Sequence, residues 1–216
     1  MTRQTLFDFS FVRLMKIKQL IISATAAAWA LPLPVLAHTG TDGGGHHGLL
    51  DSFAHAFTHP FTGADHLAAM LAVGVWSALT VTPAWRAPAA FVALLVAGAL
   101  AGFAGLWIPG VEPMIAASVL VLGLLVAVQK QMPWAVAAAL AGVFAFFHGA
   151  AHGRELSASS GEAVIGALVG VALGSGALHI AGIVLGRAVM QRHQWLATLG
   201  GGATALLGAF MLARLA

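Results

Sequence analysis

The chain contains no cysteine and few charged side chains. Among its 216 residues, charged side chains make up 8% and hydrophobic ones 60%, against about 25% and about 45–50% in soluble globular domains. Without cysteine there are no disulfides and no thiolate metal ligands, so a metal site would use His, Asp, Glu, Met, backbone carbonyls or water. The composition is that of a membrane protein.

Two further absences narrow the function. The phosphate-binding pattern GxxxxGK[ST] does not occur, so the chain has no ATP-binding motif of that kind. Residues 38–216 carry six basic and six acidic side chains. A chain without net charge there lacks the basic surface that nucleic acids require, and we expect no nucleic-acid partner.

The first 37 residues have the three parts of a secretory signal peptide. A basic start is followed by an apolar run over 20–33 and by the small-residue end Val35-Leu36-Ala37. This order predicts cleavage after Ala37, which leaves His38 at the mature N-terminus. An uncleaved anchor helix over 20–36 is the alternative.

The rest of the chain divides into a polar segment and an apolar domain. Residues 38–58 are rich in glycine and histidine and predict a mobile periplasmic segment that ends in a short interfacial helix. Residues 59–216 predict a transmembrane transporter domain, because six apolar stretches approach the length of about 20 residues that a span needs. The fold class is therefore an all-α polytopic membrane helix bundle. Its expected helices cover 61–81, 86–107, 113–129, 133–152, 162–187 and 195–214.

The basic residues of the loops predict the orientation. With a cleaved signal peptide the mature N-terminus is periplasmic, and the loops then alternate across the bacterial inner membrane. Four basic residues fall in the inner loops and two in outer segments, which agrees with the preference of Lys and Arg for the cytoplasmic side. The inner ones are Arg86, Lys130, Arg187 and Arg192, and the outer ones are Arg154 and Arg214.

A first polar cluster reads His59-Pro60-Phe61-Thr62-Gly63-Ala64-Asp65-His66. Proline suits the first position of a helix, so we expect the helix to begin at Pro60. His59 and His66 would then share a face, with Asp65 at its edge or as a partner of an imidazole. The alternative is that Asp65 only stabilises the helix dipole and His66 lies at the membrane interface.

A second cluster reads Phe147-His148-Gly149-Ala150-Ala151-His152-Gly153-Arg154-Glu155. His148 and His152 are four apart and stack on one helical face, and Glu155 joins them if the helix continues. The zinc-protease pattern needs Glu after the first His, where this chain has Gly149. Ionisable groups at membrane depth usually serve function, although a hydrogen-bonded packing pair remains open.

Other histidines are weaker candidates. His179 lies deep in the fifth expected helix, as a hydrogen-bonding residue or as an inner relay. His38, His46 and His47, with His55, form a loose tract that can bind metal. Two glycine series, at 98, 102 and 105 and at 166, 170 and 174, predict close helix packing.

The two clusters resemble the motifs of the HupE/UreJ family of nickel permeases, secondary transporters associated with hydrogenase and urease maturation. The resemblance rests on H-x5-D-H and FHG-x-AHG-x-E and extends over the mature chain. It implies uptake of nickel, or of another divalent metal such as cobalt. It also implies a metal-handling role for the motif residues, which are His59, Asp65, His66, His148, His152 and Glu155.

We therefore predict a permease, not an enzyme, with Ni²⁺ as its transported substrate and no tightly bound cofactor. Its partners would be the nickel ion and the lipid bilayer, with homo-oligomerisation left open. One competitor is a membrane-embedded zinc hydrolase with metal on His66, His148 and His152 and with Glu155 or Asp65 as the general base. Another is a structural or assembly subunit whose clusters bind only other helices.

Overall fold

A computed structural model of the chain describes residues 48–155 and 161–215. These residues form seven α-helices and one π-helical segment, and no strand occurs among them. The predicted all-α bundle is confirmed. The expected signal peptide and the histidines of the N-terminal tract before residue 48 lie outside the described residues, so they stay predictions, as do the boundaries of the three segments.

Six of the seven α-helices are apolar, and five of those are long enough to cross a membrane. The α-helices are α1 (Leu49–Thr62), α2 (Ala64–Thr80), α3 (Arg86–Phe103), α4 (Val111–Val128), α5 (Trp134–Glu155), α6 (Gly161–Leu185) and α7 (Gln194–Ala213). The π-helical segment Gly186–Met190 extends α6 directly. The five long apolar helices are α3 to α7, and α2 is the shorter apolar one with 17 residues, at the lower limit of about 17 for a span.

The expected single helix over 61–81 is wrong. The chain forms two helices that are separated at Gly63, whose φ of −80° and ψ of 120° are extended. Pro60 lies inside α1 and does not begin the next helix. The extended Gly63 lets α2 start again with Asp65 in its first turn, where the helix dipole favours a carboxylate.

Two other helix ends differ from expectation. The helix expected over 86–107 ends at Phe103, and Gly105 follows with a φ of +77°, a conformation that glycine adopts without steric cost. Gly105 therefore ends a helix and does not pack against one. The helix expected to end at 152 continues through Gly153 to Glu155. The remaining boundaries agree within one or two residues, which is the usual uncertainty of helix ends.

Small residues bring four pairs of helices into backbone contact, one of them α2 and α6 through Gly74 and Gly182. A Cβ atom added to Gly98 would lie 2.0 Å from the carbonyl oxygen of Phe146, across the contact of α3 and α5. One added to Gly166 would lie 2.1 Å from that of Leu49, between α6 and α1. Between α4 and α7, one added to Gly123 would lie 2.3 Å from the nitrogen of Ala205. Close packing is thus confirmed for both glycine series, except at Gly105.

The order of these contacts gives the helix directions. Leu49, Phe53 and Phe57 face Gly166, Gly170 and Gly174 in the same order, so α1 runs parallel to α6. By the same test α3 runs parallel to α5, whereas α4 and α7 are antiparallel. The contacts of His59 with His152 and of Glu112 with Arg154 bring the end of α1, the start of α4 and the end of α5 together at one end of the bundle.

Candidate metal site

Three imidazole rings from three helices meet at that end of the bundle. They belong to His59 in the last turn of α1, His66 in the first turn of α2 and His152 near the end of α5. The ring centroids are 5.3 Å apart for His59 and His66, 5.0 Å for His59 and His152, and 4.8 Å for His66 and His152. One nitrogen from each ring lies within 4.8 Å of the other two. A small shift of the side chains would let one ion contact all three, because metal–imidazole bonds are about 2.0–2.1 Å long for zinc.

The break at Gly63 gives this geometry. His59 and His66 were expected on one face of a continuous helix, and their rings do meet. They meet, however, across the junction of two helices. A Cβ atom added to Gly63 would lie 3.0 Å from Asp65 Oδ1 and 3.4 Å from His66 Nδ1. The junction therefore has little room for a side chain.

Asp65 holds the ring of His66. Its Oδ1 accepts the backbone N–H of His66 at 2.9 Å and lies 3.1 Å from Nδ1 of the same residue. A carboxylate this close to Nδ1 favours the tautomer with the proton on Nδ1 and the lone pair on Nε2. This is the usual way in which a carboxylate orients a metal-binding imidazole, and it fits the expectation that Asp65 supports a ligand.

His148 lies one turn before His152 and extends the cluster into the bundle. Its ring centroid is 4.8 Å from that of His66, and the residue is fully buried. Ser118 Oγ of α4 donates to the Ile115 carbonyl at 2.6 Å and lies 2.8 Å from His148 Nε2. Since the hydroxyl proton is used, Ser118 accepts from Nε2–H, and Nδ1 of His148 carries the lone pair.

Burial divides the cluster into an outer and an inner part. His66, His148, His152 and Asp65 are all buried, whereas His59 is half-buried. His55, one turn earlier on α1, is exposed, and its ring centroid lies 6.1 Å from that of His59. A series of imidazoles thus leads from the surface to the interior.

Some predicted site residues lie elsewhere or cannot be located. The structure places Glu155 as the last residue of α5, but its side chain is outside the described part. His38, His46 and His47 are outside it as well. His179 is buried in α6 and is not one of the three residues with mutually close ligand atoms.

The glycines beside the histidines pack against a helix. A Cβ atom added to Gly149 would lie 1.9 Å from the Leu95 carbonyl oxygen, and one added to Gly153 would lie 2.1 Å from that of Ala99. Of the two roles considered from the sequence, room for a hydrated ion and close helix packing, the structure supports the second. These contacts hold α5 against α3 and so fix the positions of His148 and His152 along the bundle.

The sequence did not predict two residues of α4, Ser118 and Glu112, that contact the second motif. Ser118 is a lone hydroxyl in the apolar α4, and no spacing rule links it to His148. Glu112, at the start of α4, lies 4.0 Å from Arg154 of the second motif. A polar residue inside a very apolar helix was the only signal for Ser118.

Fold and cluster together define a polytopic helical membrane protein with buried histidines at one end. The family described as HupE / UreJ protein matches residues 26–211. The chain is also 40% identical to Protein HupE of Rhizobium leguminosarum bv. viciae over 193 residues, which cover 88% of this chain and 96% of that protein. No solved structure matches the chain. The chain belongs to the HupE/UreJ family, as its two motifs indicated.

Proposed function

We propose that this protein is a permease that takes up Ni²⁺ across the bacterial inner membrane and supplies it for hydrogenase or urease maturation. The observation that carries the proposal is the meeting of His59, His66 and His152, with one ligand nitrogen of each within 4.8 Å of the others. Membership of the HupE/UreJ family supports a transporter that is accessory to these enzymes.

The chemistry of the cluster favours a transition metal. Imidazole nitrogen suits nickel, copper, zinc and iron, whereas calcium and magnesium prefer oxygen ligands. The chain has no cysteine, so its site lacks the soft thiolates that bind copper(I) and zinc tightly. Neutral imidazoles with one supporting carboxylate give a site that can also release its ion, as a carrier requires.

The proposed direction of transport is inward from the periplasm. In the predicted topology α5 ends at the periplasmic face, so the histidine cluster would receive metal there. A divalent ion that moves inward gains about 4.6 kcal/mol per 100 mV of membrane potential, twice the single-charge value. The membrane potential could therefore drive uptake without a nucleotide.

The arrangement supports a carrier more than a zinc hydrolase. A hydrolase of the kind considered needs a carboxylate that is available as a general base. Of the two carboxylates considered, Asp65 has its Oδ1 against both the backbone N–H and the ring of His66, and the side chain of Glu155 lies outside the described part. We therefore propose that the protein is not an enzyme, that it needs no resident cofactor, and that its partners are Ni²⁺ and lipid.

Uptake by proteoliposomes tests the function. Purified full-length protein is reconstituted, an inside-negative potential is imposed, and internal Ni²⁺, Co²⁺, Zn²⁺ and Cu²⁺ are measured against empty liposomes. We expect Ni²⁺ to accumulate fastest. The matched control is His193→Ala, which changes an exposed histidine in the loop before α7. Uptake equal to that of empty liposomes for every metal would contradict a permease, and faster uptake of another metal would contradict nickel as the preferred substrate.

A further inference from the structure

His179 carries a ligand nitrogen that the histidine cluster does not use. The residue is 1% exposed and lies in the C-terminal half of α6. Its Nδ1 contacts the backbone carbonyl of Ser175, one turn earlier. A carbonyl only accepts, so Nδ1 carries the proton and Nε2 carries the lone pair. Nε2 is buried without a hydrogen-bond partner.

A buried nitrogen in this state calls for an explanation. Buried polar atoms in native proteins usually have a partner, and an unsatisfied one costs about 1–3 kcal/mol. Ser175 Oγ, on the same face of α6, is also buried without a partner. Two neighbouring lone-pair donors in one apolar helix are a suitable pair of ligands for a cation in transit.

The position of His179 along the bundle is deeper than that of the cluster. A Cβ atom added to Gly74 would lie 2.3 Å from the His179 carbonyl oxygen, so the two residues are level. Gly74 follows His66 by slightly more than two turns of α2, which is about 12 Å along the helix axis. His179 therefore lies further inward than His66 by about two-fifths of a hydrocarbon core of about 30 Å.

One apolar ring, that of Phe91, is close to a histidine of the cluster and to His179. Phe91 of α3 is fully buried. Its ring centroid lies 5.9 Å from that of His148 and 4.9 Å from that of His179. Apolar constrictions separate polar sites in membrane pathways, and Phe91 has this place between the inner histidine of the cluster and His179.

A polar cavity lies at the opposite end of the bundle. Its volume is about 510 Å³, and its lining comes from the ends of α2, α4, the π-helical segment and α7. The polar part of the lining is Gln129, Gln131, Gln191, Gln194 and Thr198. An ion that leaves His179 toward this end would meet amide oxygens and water.

We propose that His179 Nε2, with Ser175 Oγ, forms an inner metal-binding position that receives the divalent cation from His148 past Phe91. The inference rests on the proposed transport function and adds a second position to it. The ion first leaves the lone pair of His148 Nδ1 and then binds that of His179 Nε2, with no change of protonation at His179 Nδ1. A separate inner position lets the ion leave the tighter histidine cluster in two smaller steps.

Three substitutions at one position test this proposal. His179→Asn can keep the hydrogen bond to the Ser175 carbonyl but has no atom at the place of Nε2. His179→Gln can put an amide oxygen there, and His179→Leu fills the volume without a ligand. We expect the Asn and Leu variants to lose about tenfold or more in the maximal rate of Ni²⁺ uptake, and the Gln variant to retain more activity than either.

Equilibrium binding of Ni²⁺ to the detergent-solubilised variants separates a ligand from a structural role. We expect all three variants to bind Ni²⁺ at the histidine cluster of His59, His66 and His152 with wild-type affinity. Wild-type uptake by the Leu variant would overturn the proposal, and so would loss of Ni²⁺ binding in all three variants, which would make His179 a structural residue. If the wild-type protein itself transports no metal, the proposed function fails, and that outcome differs from both.

Discussion

The ring centroid of His59 in α1 lies 5.0 Å from that of His152 in α5, and the two rings meet edge to face. The first residue belongs to the H-x5-D-H motif and the second to the FHG-x-AHG-x-E motif. Because the two motifs supply one compact group of nitrogens, we expect a defect in either motif to remove the same step of transport.

Loss of either buried ligand should therefore stop uptake. We predict that His66→Ala and His152→Ala each reduce Ni²⁺ uptake to the background of empty liposomes, because each removes one of three converging nitrogens. His193→Ala, with an exposed side chain, should behave as wild type. Uptake is measured at matched protein content. Near-normal uptake in either of the first two variants would refute the shared site.

The carboxylate beside His66 should matter through its charge. Asp65→Asn keeps the size of the side chain, and its amide oxygen can still accept the His66 N–H. It loses the negative charge that contacts the ring at 3.1 Å. We predict about 10–100-fold weaker Ni²⁺ affinity, measured by equilibrium binding. Unchanged affinity would show that Asp65 only serves the start of α2.

The hydroxyl of Ser118 should act through His148. In Ser118→Ala, the Nε2–H of His148 loses its acceptor, so the imidazole is free to change tautomer or rotate. We predict a decrease in uptake of about tenfold with the protein still folded. The matched control is Thr204→Ala, because Thr204 bonds only a carbonyl of its own helix. An equal loss in both variants would contradict a specific effect at His148.

The glycine beside His148 should control stability. A Cβ atom in Gly149→Ala would meet the Leu95 backbone at 1.9 Å, and overpacking of this kind costs about 3 kcal/mol. Gly202→Ala, where no atom lies within 4 Å, should be neutral or stabilising, since alanine favours a helix by about 1 kcal/mol over glycine. Thermal unfolding in detergent gives the comparison. A Tm of Gly149→Ala at or above wild type would refute the close approach of α3 and α5.

The N-terminal histidines should affect capture more than translocation. Deletion of residues 39–47 keeps Gly48, whose carbonyl accepts the Ser52 N–H at the start of α1. A flexible tract binds metal weakly, because it loses conformational freedom on binding. We predict a higher half-saturation concentration for Ni²⁺ uptake and an almost unchanged maximal rate. Loss of uptake at saturating Ni²⁺, with the protein inserted, would assign these residues to the obligatory pathway.

The sequence predicted the helices that consist of a single long apolar run. Long apolar runs bounded by Pro and Gly fix α3 to α7 within a few residues, because backbone groups in a membrane must be paired within a helix. The sequence did not predict the break at Gly63. Pro60 did not decide where the helix begins. Proline fits the first turn of a helix, but Pro60 lies inside α1.

For the site, local spacing predicted the residues but not their partners. The four-residue interval of His148 and His152 and the shared motif of His59 and His66 indicated two clusters of candidate ligands. The contact of His148 with Ser118, and that of His179 with Phe91, join separate helices. Such contacts depend on helix rotation and on backbone approach at glycines, which a single sequence does not contain.

The glycine contacts also determine which parts of the molecule can move. His148 and His152 are carried by α5, which lies on the backbone of α3, and His66 is carried by α2, which lies on the backbone of α6 through Gly74 and Gly182. Each pair is too closely joined for its helices to slide independently. Each pair is therefore expected to move as a unit, and the rings of His66 and His152 meet between the two pairs. An ion bound by both rings would link the two helix pairs, and its departure would remove that link.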